Sequence, residues 1–246
     1  MQASKQVIAE LAPTGRLRAA INYGNPVLVQ KDPITAQPVG VSPRLARELG
    51  RRLGTPVDYV PFNEAGEVVA AVHSDQWDVA FLAIDPVREQ DLSFTAPYVL
   101  IEGCYVVRAD SPIRSLEDVD RAGVRVAVGE RSAYDLYLTR ALKHAQLIRV
   151  RGSSEALDRF LADQIEVGAG VRQPVEAFAA QHRNLRVIEP SFMVIRQAMV
   201  VRKGHDAGLE YVRRFVEEMK ASGFVAEALT ASGKADVTVA PPAGKG

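Results

Sequence analysis

The sequence predicts an α/β fold with a largely parallel sheet, divided into two units. From Leu17 onward, short runs of β-forming residues alternate with helical patterns, as is typical of α/β proteins. After Tyr98 the pattern changes, and a second, shorter cycle of the same alternation follows. The chain has 246 residues, and single hydrophobic cores commonly stop growing near ~250 residues. We therefore expect two units of about 120 residues each rather than one large domain.

The first cycle is predicted to contain three strands and two helices. The predicted strands are Leu17–Ile21, Val57–Pro61 and Asp78–Leu82, and the second helix is Glu67–Ser74. The first helix follows from Leu45, Leu49 and Leu53, which repeat every four residues and form one apolar face. Ser42 is predicted to be its N-cap, and Gly54 lies where a left-handed residue ends a helix.

The second cycle is predicted to contain four strands and four helices, after which the chain continues through one more strand and a long helix. The predicted strands are Tyr105–Val107, Val124–Val128, Leu147–Val150 and Val167–Ala169, followed by Ala198–Val201. The predicted helices are a short one that begins at Ser115, one that begins at Ser132, then Ser154–Ala162, Gln173–His182 and Ala207–Ala221. Asp118 and Asp135 lie three residues after the two serines, which is the spacing of a capping box. The long helix is expected to end at Gly223.

The composition excludes several classes of protein. Lys plus Arg and Asp plus Glu both number 30, so the formal net charge is zero and no long-range field attracts nucleic acid or anionic lipid. No apolar run reaches the roughly 20 residues of a membrane-spanning helix. With one cysteine the chain cannot form an internal disulfide, and its four histidines show no metal-ligand spacing. We therefore expect neither a metal nor another cofactor.

Motifs of catalysis and cofactor binding are absent from the sequence. It contains no G-x-S-x-G, no phosphate-binding P-loop and no H-E-x-x-H, and Gly168-Ala-Gly170 lacks the third glycine of a dinucleotide fingerprint. Cys104 lies beside a β-forming run and is interpreted as a buried, unreactive thiol. These absences disfavour an enzyme defined by a known motif, and no catalytic residue is assigned.

The segment Asp78–Tyr98 carries the strongest indication of a binding site. The residues of this segment considered for ligand contact are Ala83, Ile84, Asp85 and Arg88. Asp85 before a proline has the form of a helix N-cap, and the free N–H groups of such a helix start would hold a carboxylate together with the Arg88 guanidinium. The alternative is that Arg88 pairs on the surface with Glu89 or Asp91.

Short motifs follow one another along the chain in a distinctive order. They are Gly15-Arg-Leu-Arg18, Val39-Gly-Val41, Leu45-Ala-Arg-Glu-Leu-Gly50, Trp77-Asp-Val-Ala80, Arg88, Ser93-Phe-Thr-Ala-Pro-Tyr98, Leu116-Glu-Asp-Val119, Val124-Arg-Val-Ala-Val128 and Ser154-Glu-Ala-Leu157. Each motif is weak by itself, but their order resembles that of the bacterial family 3 extracellular solute-binding proteins, the amino-acid-binding receptors of ABC importers.

The resemblance implies two doubly wound α/β domains joined by two hinge strands, the type II periplasmic binding fold. The first domain would comprise residues 1–104 and 198–246, the second residues 105–197, and the hinge strands would lie near Gly103–Val107 and Arg196–Val200. Hinge closure would trap a ligand in the cleft between the domains. The resemblance also implies a monomer in the periplasm that serves an ABC transporter. The chain as written starts without an export signal, so a cytoplasmic location is the alternative.

The resemblance also assigns ligand contacts to individual residues. Arg88 matches the arginine that binds a ligand α-carboxylate in the family. Ser132 lies near the position at which the second domain of the family offers a hydroxyl and the N–H groups of a helix start. In the loop after the first strand the candidates are Asn22, Tyr23 and Asn25. Ala83 stands where the family usually has a small hydroxyl residue.

One position departs from the family pattern. The acidic residue that receives the ligand ammonium is expected where this chain has Val171, Arg172 and Gln173. An ammonium group buried without a carboxylate partner is strongly unfavourable. Arg172, Arg131 and Arg196 would instead make the site cationic. The expected ligand is therefore a small carboxylate-bearing metabolite, either amino-acid-like or a keto, hydroxy or dicarboxylic acid.

Two other functions are compatible with the sequence. Cyclohexadienyl dehydratases resemble the same receptor family, and such an enzyme needs an acid held in the cleft. The acids available for that role are Glu102, Asp85 and Glu130. The other function is that of a cytosolic sensor or carrier, which would use the fold without any transporter.

Overall fold

A computed structural model describes residues 3–244, which contain eight α-helices and eleven β-strands. The helices are α1 (Lys5–Leu11), α2 (Val41–Leu53), α3 (Ala65–Ala70), α4 (Ala133–Ala141), α5 (Ser153–Ala162), α6 (Arg172–Gln181), α7 (Asp206–Ala221) and α8 (Phe224–Ala231). The strands are β1 (Leu17–Asn22), β2 (Gln30–Lys31), β3 (Pro38–Val39), β4 (Val57–Phe62), β5 (Ala80–Ala83), β6 (Leu92–Arg108), β7 (Arg125–Gly129), β8 (Gln146–Val150), β9 (Val167–Val171), β10 (Leu185–Arg202) and β11 (Thr238–Val239).

The contacts between residues divide the chain into two units. The first unit comprises the chain up to Leu100 together with the chain from Arg196 onward, and the second comprises Ile101–Ile195. Strands β6 and β10 contain residues of both units and connect them along the chain. The boundaries expected from the sequence, after residues 104 and 197, lie a few residues further along the chain than these.

The first unit combines a parallel strand pair with antiparallel ones. β1 runs parallel to β4, with Leu17 opposite Val57. β5 runs antiparallel to β10, with Ala83 opposite Gln197, and β11 pairs antiparallel with β6. Trp77 is buried in a hydrophobic cluster of this unit, and its indole N–H donates to the carbonyl of Val68 at 3.0 Å.

In the second unit, β7 lies parallel to β8 and to β9, and β9 pairs antiparallel with β6. The core of this unit is a cluster of apolar side chains from these strands and from α5 and α6. Its buried members are Cys104, Val106, Ala127, Leu157, Phe160, Ile165, Val175 and Leu185. Because α5 contributes Leu157 and Phe160, this helix covers one face of the sheet.

The two glycines of Gly168-Ala-Gly170 allow close packing in this core. A Cβ at Gly168 would lie 2.9 Å from Val106 Cγ1, and a Cβ at Gly170 would lie 2.8 Å from Val175 Cγ2. Both distances are too short for real carbon atoms in contact. The glycines are therefore explained by the approach of neighbouring side chains rather than by a nucleotide phosphate.

The predicted α/β class is confirmed, whereas the prediction of a largely parallel sheet is wrong. Within residues 3–244, three strand pairs are parallel, namely β1–β4, β7–β8 and β7–β9, whereas β2–β3, β5–β10, β6–β9 and β6–β11 are antiparallel. The periodicity of apolar residues reports burial and not strand direction. The direction is set by the long strands β6 and β10, which run against their neighbours.

The start of α2 differs from the prediction, and its end agrees with it. Gly40, at φ 120°, is the N-cap, so Ser42 lies inside the first turn. The Ser42 side chain is buried, and its hydroxyl lies 3.3 Å from the hydroxyl of Tyr98. Gly54 adopts the predicted left-handed conformation at φ 69°. Ser42 therefore serves tertiary packing instead of capping the helix.

One further prediction about helices is wrong, and another is confirmed but incomplete. No helix begins at Ser115 in the described chain; instead the Asp118 carboxylate accepts the N–H groups of Arg114 and Ser115 at 2.8 and 3.0 Å and closes a turn. Gly223 follows α7 as predicted, but it also precedes the unpredicted helix α8. Helix α1 was likewise not predicted. Within residues 3–244, no helix combines the length and apolarity needed to cross a membrane.

Cys104 is expected to resist alkylation in the native protein. The thiol is fully buried, and this burial raises its pKa to about 12, so the reactive thiolate is scarce at neutral pH. Mass spectrometry after incubation with iodoacetamide at pH 8 should find unmodified protein, and complete modification should follow only in denaturant. Rapid labelling of the native chain would show that the thiol is accessible.

Candidate functional site

The carboxyl end of β5 places Arg88 in the interior of the first unit. β5 ends at Ala83, and the Asp85 carboxylate accepts the N–H of Val87 at 2.9 Å, which closes a turn. This turn directs the Arg88 side chain back toward the strand, where its Nη1 donates to the Ala83 carbonyl at 3.0 Å. Only 2% of Arg88 is exposed. The alternative of a surface pair with Glu89 or Asp91 is therefore wrong.

The helix expected after Asp85 is a short 3-10 turn over Arg88–Gln90. One turn of 3-10 helix has neither the length nor the aligned peptide dipoles of an α-helix. This turn therefore does not provide the helix N-terminus that the sequence predicts for anion binding. The positive charge at this place comes from the Arg88 guanidinium itself.

Burial determines the electrostatics around Arg88. Removal from water lowers the pKa of Arg88 to about 10, and the nearby Asp85 carboxylate only partly opposes this effect. Asp85 is itself 4% exposed. For such a buried cation, dehydration costs more free energy than the attraction of the neighbouring carboxylate returns. An additional anion therefore stabilises the charged form. A ligand carboxylate would supply that anion in a bidentate geometry.

The loop after β1 contains three predicted contact residues, all half-buried. The amide oxygens of Asn22 and Asn25 accept the backbone N–H groups of Gly24 and Val27 at 3.0 and 3.3 Å. These oxygens therefore shape the loop, whereas their amide N–H groups remain as donors. Burial raises the pKa of Tyr23, whose ring lies 4.9 Å from the ammonium of Lys31.

In the second unit, Ser132 begins helix α4 as predicted. Its hydroxyl accepts the N–H of Asp135 at 3.0 Å, and the Asp135 carboxylate accepts the N–H of Arg131 at 2.8 Å. The same carboxylate, almost fully buried, also accepts from Arg149 Nε at 3.0 Å. Arg131 has a left-handed backbone, φ 56°, and is exposed. The capping box is confirmed, and it holds the start of α4 rigidly.

Arg172, at the start of α6, is surrounded by carboxylates. Its guanidinium binds Glu102 on β6, Glu189 on β10 at 2.6 Å and Glu176 one turn further along α6 at 3.1 Å. Hydrogen bonds with Glu189 raise the pKa of Arg172, and the same bonds lower the pKa of Glu189. Three carboxylates around one guanidinium carry a net charge of −2 at neutral pH.

This cluster changes the expected electrostatics of the second unit. The sequence predicts that Arg172 is a source of positive charge, but its surroundings are negative overall. Glu176 lies four residues after Arg172, which is a spacing that favours ion pairs on a helix, so this partner could have been identified from the sequence. Glu102 lies on β6 and Glu189 on β10, and the sequence offers no signal that either of them pairs with Arg172 on α6. Gln173 is half-buried next to this cluster.

The acids proposed for a dehydratase occupy three different environments. Glu102 is held by Arg172, Asp85 is buried in the turn before Arg88, and Glu130 is exposed. Arg196, the third arginine of the predicted cationic site, is exposed as well, and its carbonyl accepts the N–H of Ile84 at 2.9 Å. The part of the chain that the structure describes holds no group of acidic, histidine or cysteine side chains suited to a metal ion.

Comparison with known proteins yields one matching family model. The model of the bacterial extracellular solute-binding proteins, family 3, matches residues 17–231. A search of the curated proteins finds no significant match.

Several solved structures resemble the chain over most of its length. A mutant of ArgBP from T. maritima is 22% identical with a TM-score of 0.77, and the match covers 92% of this chain and 99% of that one. An ancestral arginine-binding protein bound to arginine is 24% identical with a TM-score of 0.76, covering 88% and 97%. An ancestral amino acid-binding protein, a precursor of cyclohexadienyl dehydratase, is 23% identical with a TM-score of 0.75, covering 91% and 98%. At these identities the likeness shows the fold alone.

Proposed function

The chain belongs to the bacterial extracellular solute-binding proteins of family 3, and from this premise we propose that it binds a small carboxylate-bearing metabolite without transforming it. The observation that carries this proposal is the buried Arg88 guanidinium at the end of β5. The type II periplasmic binding fold of the matched structures agrees with the predicted fold class.

Arg88 supports a carboxylate as the group that is recognised. Its Nη1 donates to the Ala83 carbonyl, and the turn closed by Asp85 brings the side chain back toward the strand. A preorganised guanidinium binds the two oxygens of a carboxylate without first losing conformational entropy. The backbone that adjoins Arg88 in the proposed site is that of Ala83, Ile84 and Asp85.

Arg172 is not proposed as a ligand contact, because carboxylates of its own unit surround its guanidinium. The Arg172 Nε and both terminal nitrogens already donate to glutamates. A ligand carboxylate at Arg172 would have to displace these glutamates against their excess negative charge. We propose an amino-acid-like monocarboxylate as the ligand, in accord with the arginine named for one matched structure.

The remaining parts of the proposal concern partners and location. Membership of an extracellular solute-binding family supports a role outside the cytoplasm and delivery of the ligand to the membrane subunits of an ABC transporter. We propose that the protein acts as a monomer. Light scattering coupled to size exclusion, with and without ligand, measures the mass directly against the chain mass of 26.7 kDa.

A thermal-shift screen tests the proposed function. Refolded, ligand-free protein is mixed with L-arginine, L-lysine, L-glutamine, lactate, 2-oxoglutarate or succinate, each also supplied as an amide or ester that lacks the carboxylate charge. A ligand at a hundredfold excess over its Kd stabilises the native state by about 2.7 kcal/mol. We expect at least one monocarboxylate to raise the unfolding temperature and its uncharged derivative to have no effect. Equal shifts from both forms, or none from any compound, contradict the proposal.

An enzymatic function is the second candidate, because one matched structure is an ancestral precursor of cyclohexadienyl dehydratase. Such an enzyme needs an acid free to protonate a leaving group. Glu102 is bound to Arg172, Asp85 accepts a backbone N–H in the turn, and Glu130 is exposed to solvent instead of being enclosed in a site. We therefore expect no loss of prephenate absorbance above the blank, and turnover that disappears in Glu102→Gln would reverse this assignment.

A further inference from the structure

Asp85 is a buried carboxylate that belongs to the same turn as the proposed ligand-binding guanidinium of Arg88. Asp85 is 4% exposed and Arg88 is 2% exposed. Within residues 3–244, the other buried acidic residues are Asp78 and Asp135, and each of them forms an ion pair outside the proposed site. Asp85 is therefore the buried negative charge that a ligand at Arg88 has to accommodate.

The turn after β5 keeps the two charges together. Arg88 Nη1 donates to the carbonyl of Ala83, two residues before Asp85, at 3.0 Å. Asp85 Oδ1 accepts the N–H of Val87 at 2.9 Å, and the Asp85 carbonyl accepts the N–H of Arg88 at 3.0 Å. The attraction of the Asp85 carboxylate opposes the effect of burial on the pKa of Arg88. The two side chains therefore lie near enough for the carboxylate to act on the guanidinium and on a ligand bound to it.

The formal charges of this pair bear on which ligands the site can hold. Arg88 and Asp85 together carry no net charge. A ligand whose only charged group is a carboxylate would leave the buried site with a net negative charge, and its repulsion from Asp85 is poorly screened where water is excluded. A ligand that also carries an ammonium group close to its carboxylate would leave the site neutral.

We propose that the Asp85 carboxylate selects the charge of the ligand, so that the Arg88 site accepts compounds with a cationic group close to their carboxylate and rejects 2-hydroxy and 2-keto acids. The inference rests on the proposed function, because a carboxylate has to bind at Arg88 for Asp85 to act on it. The selection works by repulsion of the wrong ligand. An ammonium group near Asp85 offsets this repulsion. Asp85 is thus a specificity-determining residue in addition to closing the turn.

Isothermal titration with two matched pairs of compounds tests this inference. L-alanine and L-lactate differ in that a hydroxyl replaces the ammonium group, and L-arginine and L-argininic acid differ in the same way. Within a pair that the parent protein binds, we expect the amino acid to bind at least about tenfold more tightly than the hydroxy acid. In Asp85→Asn the affinity for the hydroxy acid should rise at least about tenfold, and the preference for the amino acid should fall correspondingly.

The variants separate the charge of Asp85 from its part in the turn. Asp85→Asn keeps the shape of the side chain and an oxygen that accepts the N–H of Val87, so it removes only the charge. Asp85→Ser also keeps an acceptor and provides the same comparison if circular dichroism shows that Asp85→Asn does not fold. Glu89→Gln is the matched control, because it removes an exposed carboxylate from the same turn. Solvent screens that charge, so the preference within each pair should stay within about twofold of the parent.

The results distinguish a failure of this inference from a failure of the proposed function. A parent protein that binds a hydroxy acid as tightly as its amino acid overturns the role of Asp85 and leaves carboxylate binding at Arg88 intact. A preference in Asp85→Asn within about twofold of the parent does the same. An equal change in Glu89→Gln also overturns it, since net charge and not the buried carboxylate would then be responsible. If the parent binds none of the four compounds, the proposed function fails for them, and the inference falls with it.

Discussion

Replacing Arg88 with alanine is expected to weaken binding of a carboxylate ligand by at least about a hundredfold, since loss of one partner of a buried charged pair leaves the other unpaired. The guanidinium is 2% exposed and is oriented by the Ala83 carbonyl. Arg88→Lys keeps the charge but loses the planar fork, so an intermediate loss is expected. Isothermal titration with the best monocarboxylate of the thermal-shift screen measures each dissociation constant.

The controls for Arg88 address folding and nonspecific charge. Arg88→Met retains much of the apolar stem of the side chain, and circular dichroism shows whether it folds like the parent. Arg47→Ala removes an exposed arginine of α2 in the same unit and should leave affinity unchanged. A folded Arg88→Met variant with undiminished affinity would show that the carboxylate binds elsewhere.

Replacing Asp78 with alanine is expected to destabilise the first unit by about 3–5 kcal/mol, the cost of breaking a buried ion pair. The Asp78 carboxylate is completely buried and accepts from Arg18 Nη2 at 2.6 Å, from Arg18 Nε at 3.1 Å and from the Arg18 backbone N–H at 2.8 Å. Arg202 on β10 lies 3.7 Å from the same carboxylate. Once the Asp78 carboxylate is removed, the exposed Asp75 is the one acidic side chain within residues 3–244 that still pairs with the two arginines.

The fluorescence of Trp77, the sole tryptophan, reports this effect because the residue precedes Asp78 and is buried in the first unit. Urea unfolding followed at this signal gives the free energy of unfolding of each variant. Asp58→Ala is the matched control, since it removes an equally short pair with Arg16 in which both side chains are about half exposed. A loss of roughly 1 kcal/mol or less is expected there. Similar losses in the two variants would mean that burial does not set the strength of the Asp78 pair.

Local signals in the sequence predicted much of the secondary structure. The capping box of Ser132 and Asp135 begins α4, and the left-handed Gly54 ends α2. These predictions succeed because a cap or a helical stripe depends on residues within a few positions of one another. Ser42 shows the limit of this reasoning, because the hydroxyl of Tyr98 competes for the side chain that a local rule assigns to the helix.

The α/β class and the family follow from the sequence alone, since they depend on local periodicity and on the order of motifs along the chain. Strand direction and the negative surroundings of Arg172 emerge only in the folded chain. Glu102 lies 70 positions from Arg172 in the chain, and Asp78 lies 60 positions from Arg18. Electrostatic and packing energies depend on distance in space, and strand pairing brings together residues whose proximity no local pattern records.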